Sequence, residues 1–241
     1  MLGVTFRSLC RTSIRSMGTA GMLRAAGVGH GDEVIVPSFG NVEVAEAVTL
    51  AGATPVFADI DPATYCLAPT AVEAVVGAQT AAIVVVHRFG QPADVAGLHE
   101  IGQRHGLLVL EQGESETPYA EVAQRRERAA YLDRRLRGVG TPESGGGHTY
   151  QQYVVRVPGN GRPDRDAFAQ ALRARGVECR VPVKTPVHRM PGFRRDVCLP
   201  ETELASDETL SLPVDASLTK REMNRIVSAC NALGGLLQPA F

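Results

Sequence analysis

Two stretches of the sequence decide its fold: GDEVIVPSF at residues 31–39 and AGATPVFADIDP at residues 51–62. Each contains a short run of apolar and β-branched residues between turn-forming Gly, Pro or Asp, which is typical of a buried strand. Two later runs have the same character, at residues 81–86 and 107–110. The first half of the chain therefore predicts four buried strands.

Helical patterns lie between these strands. They repeat Ala, Val and Leu at helical spacing over residues 42–51, 68–76 and 95–105. Pro69 and Asp94 provide helix starts for the second and third of them. Strands that alternate with helices predict an α/β fold, with a mostly parallel sheet that carries helices on both faces.

The second half of the chain has a different pattern. Strands are predicted over residues 148–157 and 177–183, and helices over 121–137, from Asp164 or Asp166 to Arg175, and over 218–233. This mixture predicts a small α+β domain. We place a shortened α/β large domain at residues 1–119, and a linker helix with the small domain at residues 120–241.

The composition excludes several classes of protein. Of 241 residues, 44% are apolar and 21% charged, as in an ordinary globular chain. No run approaches the roughly 18 apolar residues of a membrane-spanning helix, so no membrane association is expected. The net charge of −1 gives no general attraction for nucleic acid. The five cysteines form no C-x-x-C pair, which favours a cytoplasmic location and predicts no metal site.

Further motifs follow in chain order: HRFGQPAD at residues 87–94, YVVR at 153–156 and LSLP at 210–213. Together with the two opening stretches, they resemble the DegT/DnrJ/StrS family of pyridoxal-phosphate-dependent sugar aminotransferases. The resemblance implies a trimmed version of the aspartate-aminotransferase-like fold, which is called fold type I. It also implies a dimer with active sites at the subunit interface.

The resemblance implies a cofactor site that this chain matches only in part. Pyridoxal phosphate needs a lysine for its Schiff base, a carboxylate at its pyridine nitrogen, a stacking aromatic ring and a phosphate cradle. Gly18, Thr19 and Ala20 stand where the family opens a phosphate-binding helix, and the amino-terminal end of a helix favours anions. Gln112 stands where the family has the carboxylate.

The other cofactor groups are missing from their expected places. Gly40 or Asn41 replaces the aromatic ring. The family's long segment with the Schiff-base lysine would follow Gln112, but here the sequence passes almost directly into the next helix. Lys184 and Lys220 are the only lysines, and we interpret Lys184 as a solvated loop residue. We therefore expect no cofactor, and leave open residual binding of pyridoxal phosphate or another anion at the cradle.

Glu111, His87 and His188 are the candidate catalytic residues. Glu111 and His87 come at strand ends, which converge on the ligand crevice of an α/β sheet, and both can act as acid or base. In the family, the loop of His188 borders the substrate pocket, which implies contact with an anionic or sugar-like ligand. Glu114 and Glu116 enlarge the acidic set, but their spacing matches no metal signature and suits a solvated loop.

Three functions remain open. The first is a non-transaminating relative of the sugar aminotransferases, acting as a pseudoenzyme or accessory subunit in sugar or natural-product biosynthesis. The second is a repurposed enzyme that works without pyridoxal phosphate and uses the remodelled crevice on a small or sugar-like molecule. The third is an aminotransferase with a displaced lysine. A shortened sheet leaves an exposed edge, which favours a homodimer or a heterodimer with a full-length aminotransferase.

Overall fold

A parallel sheet forms the framework of the amino-terminal half. The computed structural model describes residues 18–40, 42–112, 119–143, 145, 147–158, 165–215 and 217–234. The strands are β1 (Glu33–Pro37), β2 (Thr54–Ala58), β3 (Thr80–Val86), β4 (Leu108–Gln112), β5 (Tyr153–Arg156) and β6 (Thr209–Leu212). The helices are α1 (Gly18–Ala25), α2 (Val42–Ala51), α3 (Pro69–Val75), α4 (Val95–His105), α5 (Tyr119–Asp133), α6 (Arg165–Ala174), α7 (Pro200–Glu208) and α8 (Lys220–Gly234). Short 3₁₀ turns cover Val187–Arg189 and Pro191–Phe193.

The first four strands form one sheet. Their order is β2-β1-β3-β4, and each neighbouring pair is parallel. Val34, Ile35 and Val36 of the central strand β1 are fully buried, because α1 and α2 cover one face of the sheet and α3 and α4 cover the other. Such strands need apolar residues on both faces. The predicted α/β fold with helices on both faces is confirmed.

The helices that follow β1 and β3 lie on opposite faces of the sheet. β1 leads into α2 on one face of the sheet, and β3 leads into α4 on the other. Because β1 and β3 are neighbours, their carboxyl ends are separated by a crevice. Open α/β sheets bind their ligands at such a point.

β4 is an edge strand. Among the described residues it pairs with β3 alone. Leu108, Val109 and Leu110 are only half-buried, whereas the last five residues of β3 are buried. Residues 113–118, with Glu114 and Glu116 of the acidic set, lie outside the described residues.

The carboxyl-terminal half is built on an antiparallel pair of strands, β5 and β6. Helices α5, α6 and α8 pack around a second core that includes Tyr153, Leu172 and Leu210. Val187 and Leu199 belong instead to the core of the parallel sheet, on the face covered by α1 and α2. The two halves therefore share a packed boundary, and the division between residues 119 and 120 stays a prediction.

The predicted strand at residues 177–183 is wrong. Of this stretch, only Arg180 forms a bridge to β6, and the bridge is isolated. The Cys179 carbonyl accepts a hydrogen bond from the Arg173 guanidinium at 3.0 Å instead, and Pro182 has no N–H to donate. The sequence pattern does not indicate β6 or α7.

The longest described helices, α5 and α8, have 15 residues each. Within the described ranges, no helix is long and apolar enough to span a bilayer.

Candidate functional site

His87 and Glu111 lie together at the carboxyl edge of the sheet. Nε2 of His87, which follows β3, is 4.0 Å from Oε2 of Glu111 in β4. The Ala93 N–H donates to Nδ1 of His87 at 3.0 Å, so the neutral imidazole carries its proton on Nε2, toward Glu111. His99 of α4 approaches the same carboxylate at 3.4 Å. The cluster is a partly exposed set of acid and base groups.

His188 does not join this cluster. It is almost completely buried, with 1% of its surface exposed, and its ring lies 6.4 Å from that of Phe57, on the sheet face covered by α1 and α2. The Ser38 hydroxyl accepts from the His188 backbone N–H at 3.0 Å and donates to its Nδ1 at 2.7 Å. The Nε2 proton then faces Glu203 at 3.4 Å. The candidate catalytic residues therefore fall into two separate places.

An open groove of about 610 Å³ borders His188. Glu203 is shared there between His188 and Arg189, whose guanidinium lies 2.7 Å from its carboxylate. The groove is lined by His188, Arg189, Arg194, Arg195, Asp196, Val197 and Glu203. Its lining carries three guanidinium groups and two carboxylates, so the net charge of these groups is positive. This charge suits an anionic or polyhydroxylated ligand.

The predicted phosphate cradle lies at the start of α1. Gly18 has a φ of +62° and opens the helix, followed by Thr19 and Ala20. The helix ends at Ala25 after eight residues, and Leu23 is its buried residue. Ser16 and Met17, which directly precede these three residues, lie outside the described residues. Anion binding by this helix end stays a prediction.

The residues at the cofactor position do not fit pyridoxal phosphate. Gln112 ends β4 beside Val86 of β3, and its buried Oε1 has no hydrogen-bond partner among the described residues. A neutral carboxamide does not supply the negative charge that holds the pyridine nitrogen protonated. Lys184 and Lys220 are both exposed, whereas an imine-forming lysine is activated by desolvation or by a neighbouring cation.

Aromatic side chains pack above the crevice. Phe39, which follows β1, is fully buried, and its ring centroid lies 5.6 Å from that of Tyr65 and 6.1 Å from that of Phe89. Tyr65 and Phe89 have left-handed backbones, with φ of 60° and 58°. Burial raises the pKa of the Tyr65 hydroxyl, although the hydrogen bond from Arg156 opposes this shift. Strained non-glycine residues at a sheet edge often mark a functional site.

A buried imidazole fixes the loop beside this aromatic group. The His148 ring stacks on Tyr150 with centroids 3.9 Å apart, and its Nδ1 accepts from the Tyr150 N–H at 2.9 Å. Burial lowers the pKa of His148 to about 4, and the charge of Arg126 adds to this effect. Tyr150 has a φ of 48°, so the imidazole holds a strained turn in place.

The part of the chain that the structure describes contains no group of three His, Cys, Asp or Glu side chains able to hold a metal ion.

Comparisons with known proteins give a consistent assignment. A family model described as the DegT/DnrJ/EryC1/StrS aminotransferase family matches residues 15–113 and 119–231. A pleiotropic regulatory protein from Geobacillus stearothermophilus is 29% identical over 299 residues, covering 85% of this chain and 79% of that protein. That alignment is longer than the chain, so the relative has residues without a counterpart here. The model match is interrupted after residue 113, where the sequence predicts the missing segment.

Other relatives match a shorter region. An L-glutamine:scyllo-inosose aminotransferase from Streptomyces griseus is 50% identical over 99 residues, which are 40% of this chain and 23% of that enzyme. The crystal structure of S. venezuelae DesV with a ketimine intermediate superimposes with a TM-score of 0.79 at 23% identity, covering 92% of this chain and 82% of DesV. The structural match confirms the predicted aminotransferase fold.

Proposed function

The chain belongs to the DegT/DnrJ/EryC1/StrS aminotransferase family, and on this premise we propose that it is a non-transaminating relative of the sugar aminotransferases. In this proposal it acts as a pseudoenzyme or accessory subunit in sugar or natural-product biosynthesis. The observation that carries the proposal is the end of β4. There, Gln112 replaces a carboxylate, and α5 begins at Tyr119 without the family's lysine segment between them.

Transamination needs an amine that forms an imine and a charge that stabilises the carbanion. Lys184 and Lys220 are exposed, and Gln112 is neutral, so the described residues supply neither requirement. Covalent catalysis also needs a near-attack geometry, which an exposed, solvated lysine does not supply. These points support a chain that uses no pyridoxal phosphate.

The test is an imine assay on the purified chain. Pyridoxal phosphate is added with L-glutamine or L-glutamate and a keto sugar nucleotide, followed by borohydride reduction and mass analysis of tryptic peptides. We expect no amino sugar and no specific tag on Lys184. An absorbing imine band that Lys184→Ala abolishes, while Lys220→Ala retains it, would establish the displaced-lysine aminotransferase in place of this proposal.

The edge of β4, which pairs with β3 alone among the described residues, supports a protein partner. Unpaired strand edges are normally covered, and Leu108 and Leu110 of this strand are half-buried. We propose that the edge is covered in a homodimer or in a heterodimer with a full-length aminotransferase. Sedimentation of the chain, alone and mixed with a full-length relative, measures both. Leu110→Lys should weaken the complex, and Leu50→Lys, at a leucine that is already 65% exposed, should not. If the chain sediments as a monomer both alone and in the mixture, the proposed partner is contradicted.

The Glu111 cluster favours a second candidate, a repurposed enzyme that works without the cofactor. His87, with its proton directed at Glu111, is arranged as a proton donor and acceptor pair. If the chain turns over a sugar-like substrate, Glu111→Gln should flatten the acidic limb of the pH–rate profile. Glu121→Gln, at a carboxylate on α5 paired with Arg125, is the control. Equal profiles for both variants would exclude Glu111 as the acid or base.

A further inference from the structure

The ligand crevice of this sheet lies between the carboxyl ends of β1 and β3. Gly40 comes shortly after β1, and Arg88 comes shortly after β3. These residues face each other across the crevice, because a Cβ atom added to Gly40 would lie 2.7 Å from the guanidinium carbon of Arg88. The place where an open α/β sheet receives a ligand is therefore occupied by a side chain of the protein itself.

The Arg88 side chain is held firmly in this position. It is 8% exposed, and its guanidinium carbon lies 4.7 Å from the ring centroid of Phe89 and 5.9 Å from that of Phe39. Both distances are within the range of a cation–π contact, which is strongest for a desolvated cation. The planar group thus packs among aromatic rings, as the ring of a bound cofactor would.

Gly40 is what makes room for the guanidinium. Its φ of +143° and the close approach of Arg88 both exclude a larger residue without rearrangement. A small residue at position 40 and a long planar cation at position 88 are therefore complementary, and little space is left between them.

We propose that Arg88 is a plug. Its guanidinium, seated on Gly40 and against the rings of Phe39 and Phe89, fills the ligand position of the crevice and excludes a pyridine-ring cofactor. This inference deepens the proposed function, because it adds steric exclusion to the absence of an imine-forming lysine.

The probe for this proposal is pyridoxamine phosphate. It has the ring and phosphate of the cofactor but no aldehyde, so its binding does not depend on any lysine. Thermal unfolding and ligand fluorescence are measured for the wild type, Arg88→Ala and Arg104→Ala, the last at an exposed arginine on α4. We expect a saturable rise in Tm of about 5 °C for Arg88→Ala alone. Methylguanidinium, which can refill the vacated place, should compete with the probe.

Two outcomes overturn the plug: an equal rise in Tm for the wild type and Arg88→Ala, or no rise in either. If Arg88→Ala fails to fold, Arg88→Leu takes its place, because leucine preserves apolar packing on both rings but cannot cover Gly40. The result is separable from the proposed function, since the imine assay scores covalent chemistry and amine transfer, whereas this experiment scores reversible binding of a ring.

Discussion

Acidification from pH 7 to pH 4.5 should destabilise the protein through His148. The pKa of this imidazole falls from its ordinary value of 6.5 to about 4 in the folded chain. Between pH 6.5 and pH 4, His148 is protonated in the unfolded chain but not in the folded chain. The free energy of unfolding therefore decreases as the pH falls through this range. Above pH 6.5 both states are neutral and the effect is absent. Since one pKa unit corresponds to about 1.4 kcal/mol, the full loss is about 3 kcal/mol.

The measurement is urea unfolding at several pH values between 7.5 and 4.5. His148→Asn is the informative variant, because its Oδ1 can accept the Tyr150 N–H bond that Nδ1 accepts now at 2.9 Å, but it does not titrate. The difference in unfolding free energy between wild type and variant should shrink by about 2 to 3 kcal/mol on acidification. Other titrating groups, such as Asp133, whose pKa burial raises, cancel in this difference.

His30→Asn, which makes the same replacement at an exposed imidazole beside Gly52, is the matched control. A wild-type curve parallel to that of His148→Asn over the whole range would refute the buried neutral imidazole. Parallel curves would mean that His148 ionises equally well in the folded and unfolded chains.

Three further changes test the packing of the site by chemical denaturation. Asp59→Ala removes the carboxylate that accepts the N–H groups of Glu201 and Thr202 at 3.0 and 2.8 Å, and should cost about 2 kcal/mol; an unchanged midpoint would show that α7 needs no cap. Gly90→Ala should cost about 3 kcal/mol or more, because φ is +88° and the new Cβ would lie 2.8 Å from the backbone nitrogen of Tyr150. If Gly90→Ala is as stable as the wild type, the loop around Gly90 rearranges freely to accept the new methyl group. Ser38→Ala leaves the buried His188 without its hydroxyl partner and should cost about 2 kcal/mol, with Ser38→Thr as the variant that retains a hydroxyl.

The parallel sheet is predictable from the sequence because its strands are continuous apolar runs that local patterns describe well. Helix α7 is not, because its amino-terminal groups are capped from a distance. The residue before it, Leu199, provides no side-chain cap, and Asp59, far earlier in the chain, accepts from Thr202 through both its N–H and its hydroxyl. Local sequence rules have no access to a partner of this kind.

The candidate site divides in the same way. His87 and Glu111 were predictable as neighbours because parallel strands end at one edge of a sheet. His99 reaches the same carboxylate from α4, and only the docking of that helix on the sheet brings it there. The contact between Arg88 and Gly40 joins residues from two different loops. A glycine in a sequence does not indicate which side chain occupies the space beside it.

The segment that carries Val187 and Leu199 has a consequence for how the molecule is assembled. It comes late in the chain but completes the core of the sheet made by the first half, and Asp59 from that half caps the helix that follows. Each half therefore depends on residues of the other half to complete its folded structure. If the polypeptide is cut between Gln112 and Tyr119, each fragment alone should expose apolar surface and aggregate. The native structure should form again only when the two fragments associate.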